Sequence, residues 1–216
     1  RKVKEIGNIA RETKTPLRIG FNVGSVEKKI LKKYGKPNAD AMVESALYYV
    51  KLFEDIGWTE LKVSLKASDI FQTVEAYKKF SDRSDYPLHI GITEAGPVFS
   101  GVIKSSIGIG ILLYEGIGDT IRVSLTGNPV LEVVAAYHIL RSMGLRKRGI
   151  NIISCPTCGR CKTNLMEIVE DFEKETGHFE GHLNVAIMGC EVNGPGEAKE
   201  ADIGIAFGAN KAVLFS

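Results

Sequence analysis

The sequence carries no large excess of charge of either sign: 28 Lys and Arg against 26 Asp and Glu leave a net +2. A balance that close gives no extended polyanion field, so nothing global points to nucleic acid or to a membrane surface. Long hydrophobic runs are missing too. Stretches such as Ile107–Tyr114 fall far short of the ~20 apolar residues that span a bilayer. No secretory signal opens the chain, because Arg1 leads directly into a charged, helix-like segment. The absence of Met there implies that the sequence has lost its beginning. Cysteine is scarce, with only four, at positions 155, 158, 161 and 190, all in the last third. A secreted disulfide scaffold would be smaller and would spread its cysteines along the chain. Clustered thiols without an export signal point instead to a reducing compartment, the cytoplasm by default, and to a metal site.

What is present is an ordinary globular composition over 216 residues, 44% hydrophobic and 25% charged, enough for one large or two modest domains. Up to about residue 150, strand-like runs alternate with amphipathic helical stretches. The strands are expected at Leu17–Asn22, Leu61–Leu65, Leu88–Thr93, Ile121–Leu125 and Ile150–Ser154. The helices are expected at Asp40–Ile56, Asp69–Ser81, Val102–Leu113 and Val130–Met143. Asn38 or Asp40, Ser68 and Asn128 are the candidate helix caps, and Gly57, Gly116 and Gly144 the stops. Alternation of this kind implies parallel pairing through right-handed crossovers.

Strands buried on both faces of an open sheet should read as continuous Val, Ile and Leu. These strands alternate. Arg18, Gly20 and Asn22 share one face opposite Ile19 and Phe21; Lys62, Ser64 and Lys66 oppose Val63 and Leu65. His89, Gly91 and Thr93 oppose Ile90 and Ile92, and Arg122, Ser124 and Thr126 oppose Val123 and Leu125. One apolar face and one cationic, polar face suit a (β/α) barrel, whose polar faces converge on its interior and C-terminal mouth. Two arginines and two lysines aimed into one cavity require anions, and a phosphate-bearing ligand is the simplest. Eight strands close such a barrel, so the expectation is an α/β fold comprising the second half of a TIM-type barrel, with an open sheet as the alternative.

Beyond residue 150 a small α+β domain is expected. A helix lies near Thr163–Glu175, strands at Leu183–Met188, Ile203–Phe207 and Ala212–Phe215, and a Gly/Pro loop at Gly189–Gly196. Leu145–Gly149 reads as the linker, dividing the chain into residues 1–145 and 146–216. Cys155-Pro156-Thr157-Cys158 and Cys161 begin where one strand ends, and Cys190 lies just beyond the end of another. Four readings compete. A thioredoxin-like C-x-x-C would open a helix and has no use for Cys190. Zinc on Cys155, Cys158, His178 and His182 has H-x3-H spacing, but 19 residues separate Cys158 from His178. A zinc or iron–sulfur site using all four cysteines fits C-x2-C-x2-C, a ferredoxin-like spacing. The fourth reading is a cluster on three cysteines and one non-thiolate ligand. Gly108 and Gly110 resemble part of a dinucleotide fingerprint but sit in a helical stretch and read as packing. Glu94, at the end of a strand, suits a general acid at a barrel mouth, with a salt bridge to a neighbouring cation as its competing role.

Several ordered motifs make the chain recognisable. Arg18-Ile19-Gly20-Phe21-Asn22, Lys62-Val63-Ser64-Leu65-Lys66-Ala67-Ser68-Asp69, Gly91-Ile92-Thr93-Glu94-Ala95-Gly96 and Gly116-Ile117-Gly118-Asp119-Thr120-Ile121-Arg122-Val123-Ser124 come first. Arg148-Gly149-Ile150-Asn151, Cys155-Pro156-Thr157-Cys158 and Asn193-Gly194-Pro195-Gly196-Glu197-Ala198 follow. Across essentially its whole length the chain resembles the 4-hydroxy-3-methylbut-2-enyl diphosphate synthase family of the non-mevalonate isoprenoid pathway.

That resemblance implies a TIM-barrel domain followed by a small α+β domain holding a [4Fe–4S] cluster on Cys155, Cys158, Cys190 and Glu197. It implies substrate-diphosphate contacts at Arg18, Asn22, Lys66, Arg122 and Ser124, and a catalytic acid at Glu94. The implied reaction is the two-electron reductive ring opening and dehydration of 2-C-methyl-D-erythritol 2,4-cyclodiphosphate. Ferredoxin or flavodoxin is the implied donor. A homodimer, with one subunit's cluster domain closing over the other's barrel, is implied as well. Cys161 and Glu191 depart from the family pattern, as an additional thiol and a second carboxylate near the ligands. The barrel's first half, and the extreme C-terminus, are expected to be missing from the sequence.

Overall fold

The structure is a computed structural model describing residues 2–192, 196, 198 and 201–216. It forms two compact units, Arg1–Met143 and Gly144–Ser216. The first contains, in order, α1 (Lys2–Thr13), β1 (Leu17–Asn22), a 3-10 turn (Val23–Ser25), α2 (Lys28–Tyr34), α3 (Ala39–Glu54), β2 (Leu61–Lys66) and α4 (Ile70–Ser81). It continues through β3 (His89–Ile90), α5 (Val98–Tyr114), β4 (Thr120–Ile121) and α6 (Pro129–Ser142). β1 pairs parallel with β2, placing Arg18 beside Lys62 and Asn22 beside Lys66; β3 pairs parallel with β4. A parallel bridge, Val63 to Leu88, links the two pairs. Neighbours in space are therefore neighbours in sequence, as a run of βα units demands.

Local chemistry accounts for the helix limits. The Asn38 side chain accepts the Ala41 N–H at 2.9 Å, and Asn128 accepts that of Val130 at 3.0 Å ahead of Pro129. α4 is capped by Asp69, which accepts the Gln72 N–H at 2.7 Å, and not by Ser68. Gly57, Gly116 and Gly144 take φ of 71°, 74° and 70° after their helices, the left-handed stop that a Cβ disfavours. Val63, Leu65, Ile90 and Val123 turn inward against Met42, Val43, Tyr77, Phe80, Ile109 and Leu112, all nearly inaccessible. Each such aliphatic side chain contributes on the order of 1.5–3 kcal/mol on burial. Gly108 belongs to this packing, since a Cβ there would lie 2.5 Å from Ile92 Cδ1.

Two strands are shorter than expected. Regular pairing covers only His89–Ile90 and Thr120–Ile121, where Leu88–Thr93 and Ile121–Leu125 were anticipated. Buried hydroxyls of α4 explain the interruption on the β2 side. Tyr77 accepts the Leu65 N–H at 3.0 Å and donates to the His89 carbonyl at 2.8 Å, so its hydroxyl stands between the strands. Thr73 Oγ1 likewise accepts the Ala67 N–H at 3.0 Å. Backbone groups there are satisfied by side chains in place of a ladder.

The second unit is a four-stranded sheet ordered β5 (Gly149–Ser154), β6 (His182–Met188), β7 (Ile203–Phe207) and β8 (Ala212–Phe215), with α7 (Leu165–Thr176) between the first two. β5, β6 and β7 are parallel and β8 is antiparallel. Leu165, Val185 and Ile187 pack with Ile168, Val169 and Phe172 of α7, while Ala186, Met188 and Ala206 pack on the opposite side. Arg148 pairs with Glu180 at 2.8 Å and the Gly149 N–H bonds the Gly181 carbonyl, so the end of the anticipated linker is already part of this sheet.

Candidate functional site

The parallel register of the first unit collects its polar strand residues on one face. Arg18 donates to Ser64 Oγ at 3.3 Å across β1 and β2. Lys66 is only 7% exposed and Ser64 only 2%, although both are polar. Gly91 makes room for this layer: a Cβ there would lie 2.3 Å from the Arg122 carbonyl oxygen and 3.5 Å from Lys66 Cε. Lys66 and Arg122 therefore flank Gly91. None of Arg18, Lys66 and Arg122 meets a carboxylate among the described residues.

Unpaired cations this close disturb one another. Burial, reinforced by the positive charges of Arg18 and Arg122, pulls the Lys66 ammonium down to about 8. His89, on the same face, is pulled down to about 4 by burial and by Lys66, Arg18, Lys62 and Arg122. Its Nδ1 lies 2.8 Å from Thr120 Oγ1, so a neutral imidazole is held by β4. The pocket thus keeps its positive charge on Arg18, Lys66 and Arg122, and a bound dianion would relieve their repulsion.

Asn22 is exposed at the C-terminal end of β1, and Ser124 is half-buried two residues after Arg122. Glu94 follows β3 in the left-handed region, at φ 53°. A non-glycine residue there is strained, and strain of this kind collects at functional turns. The Glu94 carboxylate is exposed, and the salt bridge that was its competing role is not formed among the described residues.

In the second unit the ends of β5 and β6 adjoin, Ser154 opposite Ile187, which brings Cys155 next to the Met188–Cys190 segment. The Gly189 N–H points at Cys155 Sγ, 3.3 Å away, a contact that favours thiolate. Lys162 N–H bonds the Gly189 carbonyl at 2.8 Å, docking the cysteine loop on the same residue. Cys190 is buried, Cys155 half-buried and Cys158 exposed, and all four cysteines are free thiols. Arg160 holds the Cys158 thiol below its usual range through hydrogen bonds from its backbone and side chain. Among the described residues no three Cys, His, Asp or Glu side chains close into a metal-binding group, and Glu197 lies outside the described residues. The donor chemistry still fits an iron–sulfur cluster: free thiols gathered at adjoining strand ends, with an amide N–H on one sulfur.

The competing cysteine readings fare differently. His182 pairs with Gly149 at the opposite end of β5 and β6 from the cysteines. Six residues of strand separate the two ends by about 20 Å, too far for one zinc ion. The Cys155–Cys158 segment does not open α7, which starts only at Leu165, against a thioredoxin-like arrangement. Cys161 donates to the Thr163 carbonyl at 3.2 Å and packs on Gly189, where a Cβ would lie 2.5 Å from its sulfur.

Sequence reasoning missed two parts of this layout. His89 was placed on the polar face without a role, and its neutral state follows from burial and from the cations Lys66, Arg18, Lys62 and Arg122. Tyr77 gave no signal, because an aromatic at helical spacing reads as core.

The architecture is that of a barrel-type α/β unit, with a cationic strand face, joined to a smaller α/β unit bearing thiols at its strand ends. Residues 1–137 match the GcpE TIM-barrel domain and residues 151–216 match the GcpE protein C-terminal domain. The chain belongs to the GcpE family. It is 58% identical over 214 residues to a 4-hydroxy-3-methylbut-2-en-1-yl diphosphate synthase (flavodoxin) of Geobacter sulfurreducens, covering 99% of this chain and 61% of that protein. An enzyme of the same name from Thermodesulfovibrio yellowstonii is 56% identical, with coverage of 99% and 61%. The chain thus spans about 61% of the length of these relatives. The barrel expectation agrees with the family. No described helix is long and apolar enough to cross a membrane.

Proposed function

We propose that this chain supplies the substrate pocket and the cluster ligands for reductive ring opening and dehydration of 2-C-methyl-D-erythritol 2,4-cyclodiphosphate to (E)-4-hydroxy-3-methylbut-2-enyl diphosphate. The observation that carries the reading is the cationic set Arg18, Lys66 and Arg122, close enough to lower the Lys66 ammonium and without a carboxylate partner among the described residues. Such a set, with no internal counter-ion among the described residues, is suited to a diphosphate.

Arg18, Lys66 and Arg122 bind the diphosphate, and Asn22 and Ser124 supply hydrogen bonds at its edge. This anchoring lies away from the reacting carbon and fixes its orientation. Neutral His89 leaves the net positive charge to its neighbours. Glu94 carries the proton that the departing hydroxyl needs, because a hydroxyl leaving unprotonated would depart as costly hydroxide. A [4Fe–4S] cluster would be held by Cys155, Cys158, Cys190 and Glu197; when bound it supplies electrons singly and a Lewis-acidic iron whose weakly held carboxylate can be displaced. The name of the relatives supports a flavodoxin donor; ferredoxin as the alternative donor, a homodimer and a cytoplasmic setting belong to the same proposal. The domain division follows the same reading, with substrate binding in residues 1–145 and the cluster in 146–216.

Anaerobic purification of the holoenzyme tests this, with iron and sulfide assay and turnover of the cyclodiphosphate on dithionite. About four iron and four sulfide per chain are expected. One zinc without sulfide overturns the proposal. Glu197→Ala is expected to change the cluster spectrum and abolish turnover, while Cys161→Ser retains the cluster.

A further inference from the structure

An imidazole lies in the deeper level of the cationic pocket, and the strand register shows how it is placed. Gly20 pairs with Ser64, and the Val63 to Leu88 bridge together with the His89 to Thr120 pairing sets His89 and Thr120 level with them. Two residues further along each strand stand Asn22, Lys66, Gly91 and Arg122, so about 7 Å separates the two levels. Arg18 folds up to the deeper level through room that Gly20 leaves: a Cβ there would lie 3.0 Å from Ser64 Oγ and 3.9 Å from Arg18 Cζ. His89 therefore sits beneath the residues that the proposed function gives to the diphosphate. Its ring is half-buried, with Nδ1 2.8 Å from Thr120 Oγ1.

The charges acting on this ring are all positive: Arg18 from β1, Lys62 and Lys66 from β2, and Arg122 from β4. Asp119, the carboxylate beside Thr120, is turned to Leu88 and accepts its N–H at 2.7 Å. Tyr77 of α4 reaches the His89 carbonyl, and burial pushes its hydroxyl up, so it stays protonated. A fifth positive charge among four is repelled, which keeps the imidazole neutral. A dianion at the level of Lys66 and Arg122 reverses that field. Near pH 6, where Lys66 already carries its proton, His89 is the pocket group able to gain one. Thr120 suits both ring states, because a hydroxyl donates as readily as it accepts.

We propose that His89 is a proton-accepting residue of this pocket: a dianion bound at Lys66 and Arg122 draws a solvent proton onto the imidazole, which then stands beneath it as a further cation. The proposal rests on the reading of the pocket as a diphosphate site, and it adds how the pocket matches its charge to its ligand. The competing role is purely structural, with His89 tying β3 to β4 through Thr120. A structural tie holds in either protonation state and exchanges no proton when the ligand binds. His138 lies on α6, and His178 and His182 belong to the second unit, so His89 is the histidine on this strand face.

The test is calorimetric titration of the oxidised holoenzyme, without reductant, at about pH 6 in buffers of different ionisation enthalpy. The cyclodiphosphate is one probe and sulfate the other, since neither gains nor loses a proton near that pH. About half a proton or more is expected to be taken up per ligand bound, and affinity to rise about threefold or more from about pH 7.5 to about pH 5.5. His89→Gln is expected to bind as the wild type does at about pH 7.5, and to show neither the uptake nor the rise. Histidine Cε1 resonances, assigned with single Gln variants of His138, His178 and His182, read the same protonation without altering His89. Binding with no proton uptake by the wild type overturns the proposal, and so does uptake that persists in His89→Gln. Proton-coupled binding of sulfate without binding of the cyclodiphosphate keeps the proposal and removes the proposed function; binding of neither removes both.

Discussion

Tyr77→Phe removes one oxygen from a fully buried side chain, 0% exposed, without changing the ring that fills the core. The cost lies in what the oxygen was holding. Leu65 loses the acceptor of its N–H at 3.0 Å, and the His89 carbonyl loses its donor at 2.8 Å. Those two bonds in series span the gap between β2 and β3, so the strands cannot re-form a direct bond without moving together through packed core. Leaving a buried polar group unsatisfied costs about 1–3 kcal/mol, and two such groups give about 2–4 kcal/mol when partial relaxation is allowed for. Urea unfolding followed by circular dichroism should show the midpoint falling with an unchanged slope. Tyr86→Phe is the control: its hydroxyl makes an exposed hydrogen bond to Glu54 at 3.2 Å, and about 0.5 kcal/mol or less is expected. If Tyr77→Phe is as mild as Tyr86→Phe, the hydroxyl does not bridge the strands and the explanation for the short β3 fails.

Other outcomes follow from the same geometry. Gly91→Ala would drive a Cβ to 2.3 Å from the Arg122 carbonyl oxygen, so a loss of about 1–3 kcal/mol and weaker diphosphate binding are expected, checked by thermal unfolding and pyrophosphate titration. Glu94→Gln should lower turnover about 10²–10⁴-fold while leaving cyclodiphosphate affinity nearly unchanged, and equal losses in both would contradict a proton-transfer role. Lys66 titrates near 8 when folded, against 10.5 ordinarily. Pyrophosphate affinity should therefore fall as pH rises through about 8, and Lys66→Arg should move that fall upward. The stability sign is opposite. Between those two values the unfolded chain holds a proton that the folded one has lost, so this group makes stability rise with pH there. Affinity that stays flat through pH 8 would show that Lys66 is not so perturbed.

Much of the molecule was legible before any coordinates. Strand alternation at Leu17–Asn22 and Leu61–Leu65 revealed one apolar and one cationic side, because residues two apart must share a face. Asn38, Asn128 and the glycines at 57, 116 and 144 marked helix limits, since capping and left-handed φ depend on residue type within one turn. The ordered motifs marked the family.

Proximity across the fold was decided elsewhere. Which cations crowd Lys66 and His89, which hydroxyl replaces a β2–β3 ladder, and why Ser68 yields to Asp69 as a cap all depend on atoms meeting in space. The separation of His182 from the cysteines follows from strand register, which linear spacing does not encode. Sequence determines the periodicities and the local backbone chemistry, because these act over a few residues. Desolvation, charge crowding and hydrogen bonds across strands exist only once distant segments have been packed together.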